Sequence, residues 1–77
     1  MAELDKIRWH CRRGLLELDI ILERFNRQHL AVLAPGQIDQ FKELLNLEDN
    51  HLLDLILGRE ILAETRLRPM LQLLQAA

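Results

Sequence analysis

Tyrosine is missing from this 77-residue sequence, and cysteine and tryptophan occur once each, as Cys11 and Trp9. A lone cysteine excludes an internal disulfide and any multi-cysteine metal site, and it suits a reducing compartment. Only three glycines and two prolines punctuate the chain, while 49% of its residues are apolar. Few breakers with abundant Leu and Ile point to an all-α fold, a single small domain over residues 1–77 built as a five-helix bundle. At this length one core is only just sufficient, which excludes a deep enclosed active site.

Long apolar runs are also lacking. None nears the roughly 18 residues that cross a bilayer, so membrane insertion is not expected. The start, Met1-Ala2-Glu3-Leu4-Asp5, is acidic where a secretory signal is basic and then apolar, and it lacks the Arg and Ser of a transit peptide. A soluble cytoplasmic protein is expected, unless a transit peptide preceded the recorded sequence. Neither charge dominates: ten Lys and Arg against twelve Asp and Glu leave a net charge of −2, which disfavours a sequence-independent grip on nucleic acid.

The chemistry of catalysis is equally sparse. His10 and Cys11 are neighbours in a predicted helix and point about 100° apart, which does not make a nucleophile and its base. His10, His29 and His51 lack the i, i+4 pairing of a helical zinc site. There is no Gly-rich phosphate loop, dinucleotide fingerprint or Ser-His-Asp pattern. No enzyme is expected.

What is present is helical periodicity. A first helix is predicted from about Glu3 to Arg13, with Leu4, Ile7 and Cys11 on one stripe and Trp9 nearly opposite, on an arc shared with Lys6, His10 and Arg13. Trp9 is either a ring lying under an arginine or a neighbouring helix, or an anchor for a partner. Gly14 separates this helix from a second that runs to about Leu30, with Leu15, Leu18, Leu22, Phe25 and His29 as its seam. Leu16 and Ile20 lie off the seam and are expected to pack under another helix, or else to extend a contact surface begun at Gly14.

Ala34-Pro35-Gly36 is read as a break, followed by a third helix over about Gln37 to Leu47 with Ile38, Phe41, Leu44 and Leu45 inside. Glu48-Asp49-Asn50 forms a polar joint in which Asp49 or Asn50 can cap the next helix. That fourth helix is short and apolar, and Gly58 ends it. The last segment, from about Ile61 to Leu74, either kinks at Pro69 or starts late, and Gln75-Ala76-Ala77 is expected to fray.

Polar and aromatic residues concentrate around Gly14. Arg12 and Arg13 face the negative end of the first helix dipole, and Glu17 lies near the positive start of the second. The run Trp9-His10-Cys11-Arg12-Arg13-Gly14-Leu15-Leu16-Glu17-Leu18-Asp19 resembles the SdhE family of succinate dehydrogenase assembly factors, whose hallmark is R-G-x-x-E, often extended as R-R-G-x-x-E-L-D. The likeness continues through Leu44 to Asp49 and Leu52 to Gly58, and the helix order is similar to the family's small all-α fold. Departures are Pro35-Gly36-Gln37 in place of a Ser-Asp type cap, Leu55-Ile56 in place of a frequent Trp-Leu, and no basic C-terminal tail.

The resemblance implies a factor that binds the flavoprotein subunit of succinate dehydrogenase, or in some bacteria fumarate reductase, and promotes covalent attachment of FAD to a histidine of that subunit. It implies Arg13, Gly14 and Glu17 as the contact core, with Arg12, Trp9 and Asp19 beside them. FAD would be carried by the client and not held stably by the factor. The alternative is a small nucleic-acid-binding or antitoxin-like module using Lys6, Arg8, Arg12 and Arg13. Against it, Glu3, Asp5, Glu17 and Asp19 interrupt the basic patch.

Overall fold

The computed structural model describes residues 3–77. Met1, Ala2 and the side chain of Glu3 lie outside the described residues, and with them the reading of the acidic start and Glu3's share in interrupting the basic patch. Helix α1 spans Glu3–His10, α2 Leu16–His29, α3 Pro35–Leu45, α4 Asp49–Ile56 and α5 Arg68–Gln75. Single 3-10 turns at Leu30–Val32 and Thr65–Leu67 follow α2 and precede α5.

The predicted seams are the buried ones. Ile7 from α1 and Cys11 just beyond it join Leu18, Leu22 and Phe25 from α2 in one core, together with Phe41, Leu44 and Leu45 from α3. At its centre the Phe25 and Phe41 rings meet at 4.8 Å between centroids, tilted by 51°, while His29 closes the seam against Phe25 at 5.1 Å. Tilted aromatic pairs of this spacing add to the burial of the rings themselves. Helix α5 packs against α2, α3 and α4, and Met70, Leu71 and Leu74 close the bundle.

Several boundaries differ from the sequence reading. Helix α1 stops at His10, three residues early, and the reason lies in the junction described below. Helix α3 starts at Pro35, because proline has no N–H to lose in a first turn and its fixed φ suits one. Ala34 has no capping oxygen, and the Gln37 side chain instead accepts the Ala34 N–H at 2.9 Å. Neither Asp49 nor Asn50 caps α4; Glu48 holds the N-cap position without a side-chain bond, and Asp49 is the first helical residue.

Gly58 ends α4 as expected, in the left-handed region at φ 78°. Its N–H reaches Leu55 O at 3.2 Å, and Arg59 N–H reaches Asp54 O at 2.8 Å, the paired bonds of a Schellman motif. The last helix starts late, with Pro69 in its first turn and no kink. Its end does not fray. Gln75 Nε2 donates to Leu55 O at 3.1 Å, and Ala76 and Ala77 both donate backward to α5 carbonyls.

Candidate functional site

The link between α1 and α2, residues 11–15, is where the chain departs most from helical geometry. Cys11 N–H still bonds Ile7 O at 3.0 Å, and Arg12 N–H bonds Trp9 O at 3.1 Å. Helical order ends there, because Arg13 finds better partners elsewhere. Its Nε donates to His10 O at 3.2 Å, satisfying a carbonyl orphaned at the helix end. One of its terminal nitrogens, Nη1, donates both to Leu47 O at 2.9 Å and to Asp49 Oδ1 at 2.8 Å. The Arg13 side chain is consequently only 8% exposed.

Arg13 therefore does not share the outward arc of Trp9. The helical-wheel placement assumed that α1 runs on to residue 13; with the helix ended at His10, the side chain turns inward to the α3–α4 joint. Its interaction with the negative end of the α1 dipole does hold, through the His10 carbonyl.

Gly14 follows with φ 78°, a region that side chains with a Cβ adopt only at a cost. A Cβ built on it meets nothing within 4 Å, so its surroundings are open on the outer side. Asp19, one turn into α2, reaches back to this segment. One carboxylate oxygen accepts Arg13 N–H at 2.9 Å and the other accepts Gly14 N–H at 3.1 Å. Leu15, at the N-cap, has no capping oxygen, and Asp19 orders the approach to the helix instead.

Around this turn lies an exposed face. Trp9 is 68% and Leu16 73% exposed, and Ile20 is also open to solvent. The expectation that Leu16 and Ile20 pack under another helix is therefore corrected: among the described residues no element buries them, and they are 73% and 46% exposed. The Arg12 guanidinium carbon stands 5.5 Å from the Trp9 ring centre, within cation–π range, which is the reading of Trp9 as a ring lying under an arginine. Glu17 is exposed in the first turn of α2, where the helix dipole favours a carboxylate, and it has no hydrogen-bond or ion-pair partner among the described residues.

Beside this face runs an open groove of about 600 Å³, with Arg8, Cys11, Arg12, Asn26 and Arg27 in its lining. Its charges are largely paired along their own helices, Arg8 with Asp5 at 3.4 Å and Arg27 with Glu23. Burial pushes the Cys11 thiol above its ordinary pKa, an effect that the Asn26 amide and the Arg13 charge only partly offset. Such a thiol is a core residue rather than a reactive one. His10 is exposed.

All six residues singled out in the sequence thus meet at one junction, but in two roles. Trp9, Arg12, Gly14 and Glu17 face solvent, whereas Arg13 and Asp19 hold the turn from within. Asp49 belongs to the same network and was read only as a possible cap. An arginine and an aspartate 36 positions apart leave no periodic trace that links them. Among the described residues no cluster of His, Cys, Asp and Glu is arranged to hold a metal ion, and no helix is long and apolar enough to cross a membrane.

The family model described as flavinator of succinate dehydrogenase matches residues 5–77. The FAD assembly factor SdhE of Pasteurella multocida is 36% identical over 77 residues, covering 97% of this chain and 92% of the relative. That of Mannheimia succiniciproducens is 38% identical over 76 residues, covering 96% and 88%. The match to the Coxiella burnetii protein of the same name reaches 49% identity over 53 residues, 69% of this chain and 65% of that relative's length. No solved structure matches. With the family model matching residues 5–77, from within α1 to the end of the chain given, and two relatives at 36% and 38% identity over nearly all of it, the chain belongs to the family of succinate dehydrogenase flavinators.

Proposed function

We propose that this chain acts as an assembly factor that docks the exposed α1–α2 junction against the flavoprotein subunit of succinate dehydrogenase and promotes covalent attachment of FAD to that subunit. The observation that carries this reading is the Gly14 turn. It offers bare backbone to an approaching partner, with nothing within 4 Å of a would-be Cβ, in a stretch where Trp9, Leu16 and Glu17 are exposed. Aromatic and apolar anchors beside an accessible backbone are what a protein interface needs at its centre. Trp9, Arg12, Gly14 and Glu17 touch the client in this reading, and Arg13 and Asp19 shape the surface they stand on.

The factor supplies orientation rather than an acid, a base or a nucleophile. The bond forms between the client's own histidine and the FAD that the client carries, and docking stabilises the client conformation that aligns them. A cytoplasmic location follows from this role, and the flavoprotein of fumarate reductase is a second client of the same chemistry. Nucleic acid is not a partner in this reading. Arg13 is turned inward, Arg8 and Arg27 have carboxylate partners, and a phosphate-binding helix needs its cations free.

The test is co-expression of a succinate dehydrogenase flavoprotein with and without this chain, read by in-gel flavin fluorescence. A stronger covalent flavin signal with the chain present is expected. Equal signals would sink the proposal.

A further inference from the structure

Arg13 is anchored more completely than a docking residue can be. To offer its guanidinium to a client it must leave Asp49, Leu47 O and His10 O, three acceptors at 2.8–3.2 Å, with its side chain already 92% covered. The backbone N–H of the same residue is held by Asp19 from the other side. The residue before the Gly14 turn is thus gripped at its side chain by the α3–α4 joint and at its backbone by α2. A guanidinium can bridge acceptors from two separate segments at once, which a lysine ammonium on its flexible stem does less well.

We infer that Asp49 is a positioning residue of the docking junction, acting through Arg13: with the Leu47 carbonyl it clamps Arg13, and the clamp fixes where Gly14 and the first turn of α2 stand. The inference rests on the docking role proposed above. It extends the functional site to the start of α4, 36 positions along the chain from Arg13 and outside the R-G-x-x-E run. Asp49 suits the task because, as the first residue of α4, its carboxylate also lies at the positive end of that helix. Its side chain is 39% exposed, with one oxygen committed to Arg13.

The clamp is distinguished from a direct contact by coupling. Client affinity is measured for the full chain and for Arg13→Ala, Asp49→Ala, the double variant and Glu17→Ala. Asp49→Ala is expected to weaken binding about tenfold, as loss of a charge-assisted bond does. The double variant should be no weaker than Arg13→Ala alone, whereas Asp49→Ala and Glu17→Ala should add. Asp49→Glu, which keeps a carboxylate, should recover most of the affinity. In the free chain, Asp49→Ala should move the Gly14 amide resonance while the far-ultraviolet circular dichroism is unchanged.

Full affinity in Asp49→Ala beside a loss in Arg13→Ala would overturn the inference and make Arg13 a client contact. An unmoved Gly14 resonance would overturn it as well. If Asp49→Ala fails to fold, Asp49→Glu and Asp49→Asn carry the same comparison. Failure of the parent chain to bind the client at all counts against the docking role, and the Gly14 resonance then still decides whether the clamp exists.

Discussion

Asp19 holds Gly14 from five residues downstream, its carboxylate accepting the glycine N–H at 3.1 Å while the second oxygen takes the N–H of Arg13. Two backbone donors that precede a helix are thereby satisfied by one side chain inside it, as in a reversed cap. Asp19→Ala leaves both donors to water and is expected to cost about 1 to 2 kcal/mol, the range of a lost capping interaction. Denaturant titration measures the cost, and faster hydrogen exchange at Gly14 assigns it to the turn.

Gly14 itself separates folding from docking. Alanine and arginine both meet the same positive φ, so each should lose roughly 1 to 2 kcal/mol of stability. The Cβ that each adds meets nothing within 4 Å among the described residues. Gly14→Ala should keep part of its client affinity and Gly14→Arg should keep none, with circular dichroism showing both helical. Equal losses of binding would place the requirement in the backbone conformation alone.

Trp9 and Leu16 are the apolar residues most easily removed without harm to the core. At 68% and 73% exposure, Trp9→Ala and Leu16→Ser should change stability by no more than about 0.5 kcal/mol. Their loss should weaken client binding by about 2 kcal/mol each if they anchor the interface, or roughly thirtyfold in dissociation constant. Calorimetry of the free chain and titration with the client read the two quantities separately.

Phe25 shows the opposite balance. It is fully buried between Phe41 and His29, and Phe25→Ala removes the ring on which both pack. A loss of about 3 to 5 kcal/mol is expected. Against a total stability of about 5 to 15 kcal/mol this leaves a chain near its unfolding threshold at growth temperature. A thermal melt followed by circular dichroism checks it.

Cys11 links stability to alkaline pH. Its thiol pKa is raised in the folded chain by burial, so the native state holds the proton more tightly than the unfolded state does. The associated stability is complete below the unfolded thiol pKa and is lost as pH rises through the native one. The parent chain should therefore lose stability above about pH 8.5, the ordinary thiol value, faster than Cys11→Ala does. At neutral pH a thiol reagent should label Cys11 only as fast as the chain opens.

The core was legible because burial is periodic. Leu18, Leu22 and Phe25 recur at helical spacing and are all buried, and Gly58 marked its stop by the backbone freedom that only glycine has. The junction was legible as a place but not as a mechanism. Reading Arg13 as a helical residue put it beside Trp9, and only the long-range bonds to Leu47 and Asp49 turn it around. Ala34-Pro35-Gly36 reads as a break because proline biases Ala34 away from helix and Pro-Gly marks turns, and Ala34 is indeed extended, but the same proline opens α3. Leu16 and Ile20 reverse the usual inference. Apolar side chains imply cover, and here the described fold provides none.

The packing of α5 against α2, α3 and α4 has a consequence for how the chain is made. The α1–α2 turn leaves the ribosome well before α5 does. Until Met70, Leu71 and Leu74 have been translated, the inner faces of the earlier helices lack their cover. The clamp on Arg13, which depends on where α3 and α4 settle, waits for the same event. A nascent chain therefore carries the Arg13-Gly14 turn well before the helix that completes its support has been made, and the turn takes its final form only once α5 is in place.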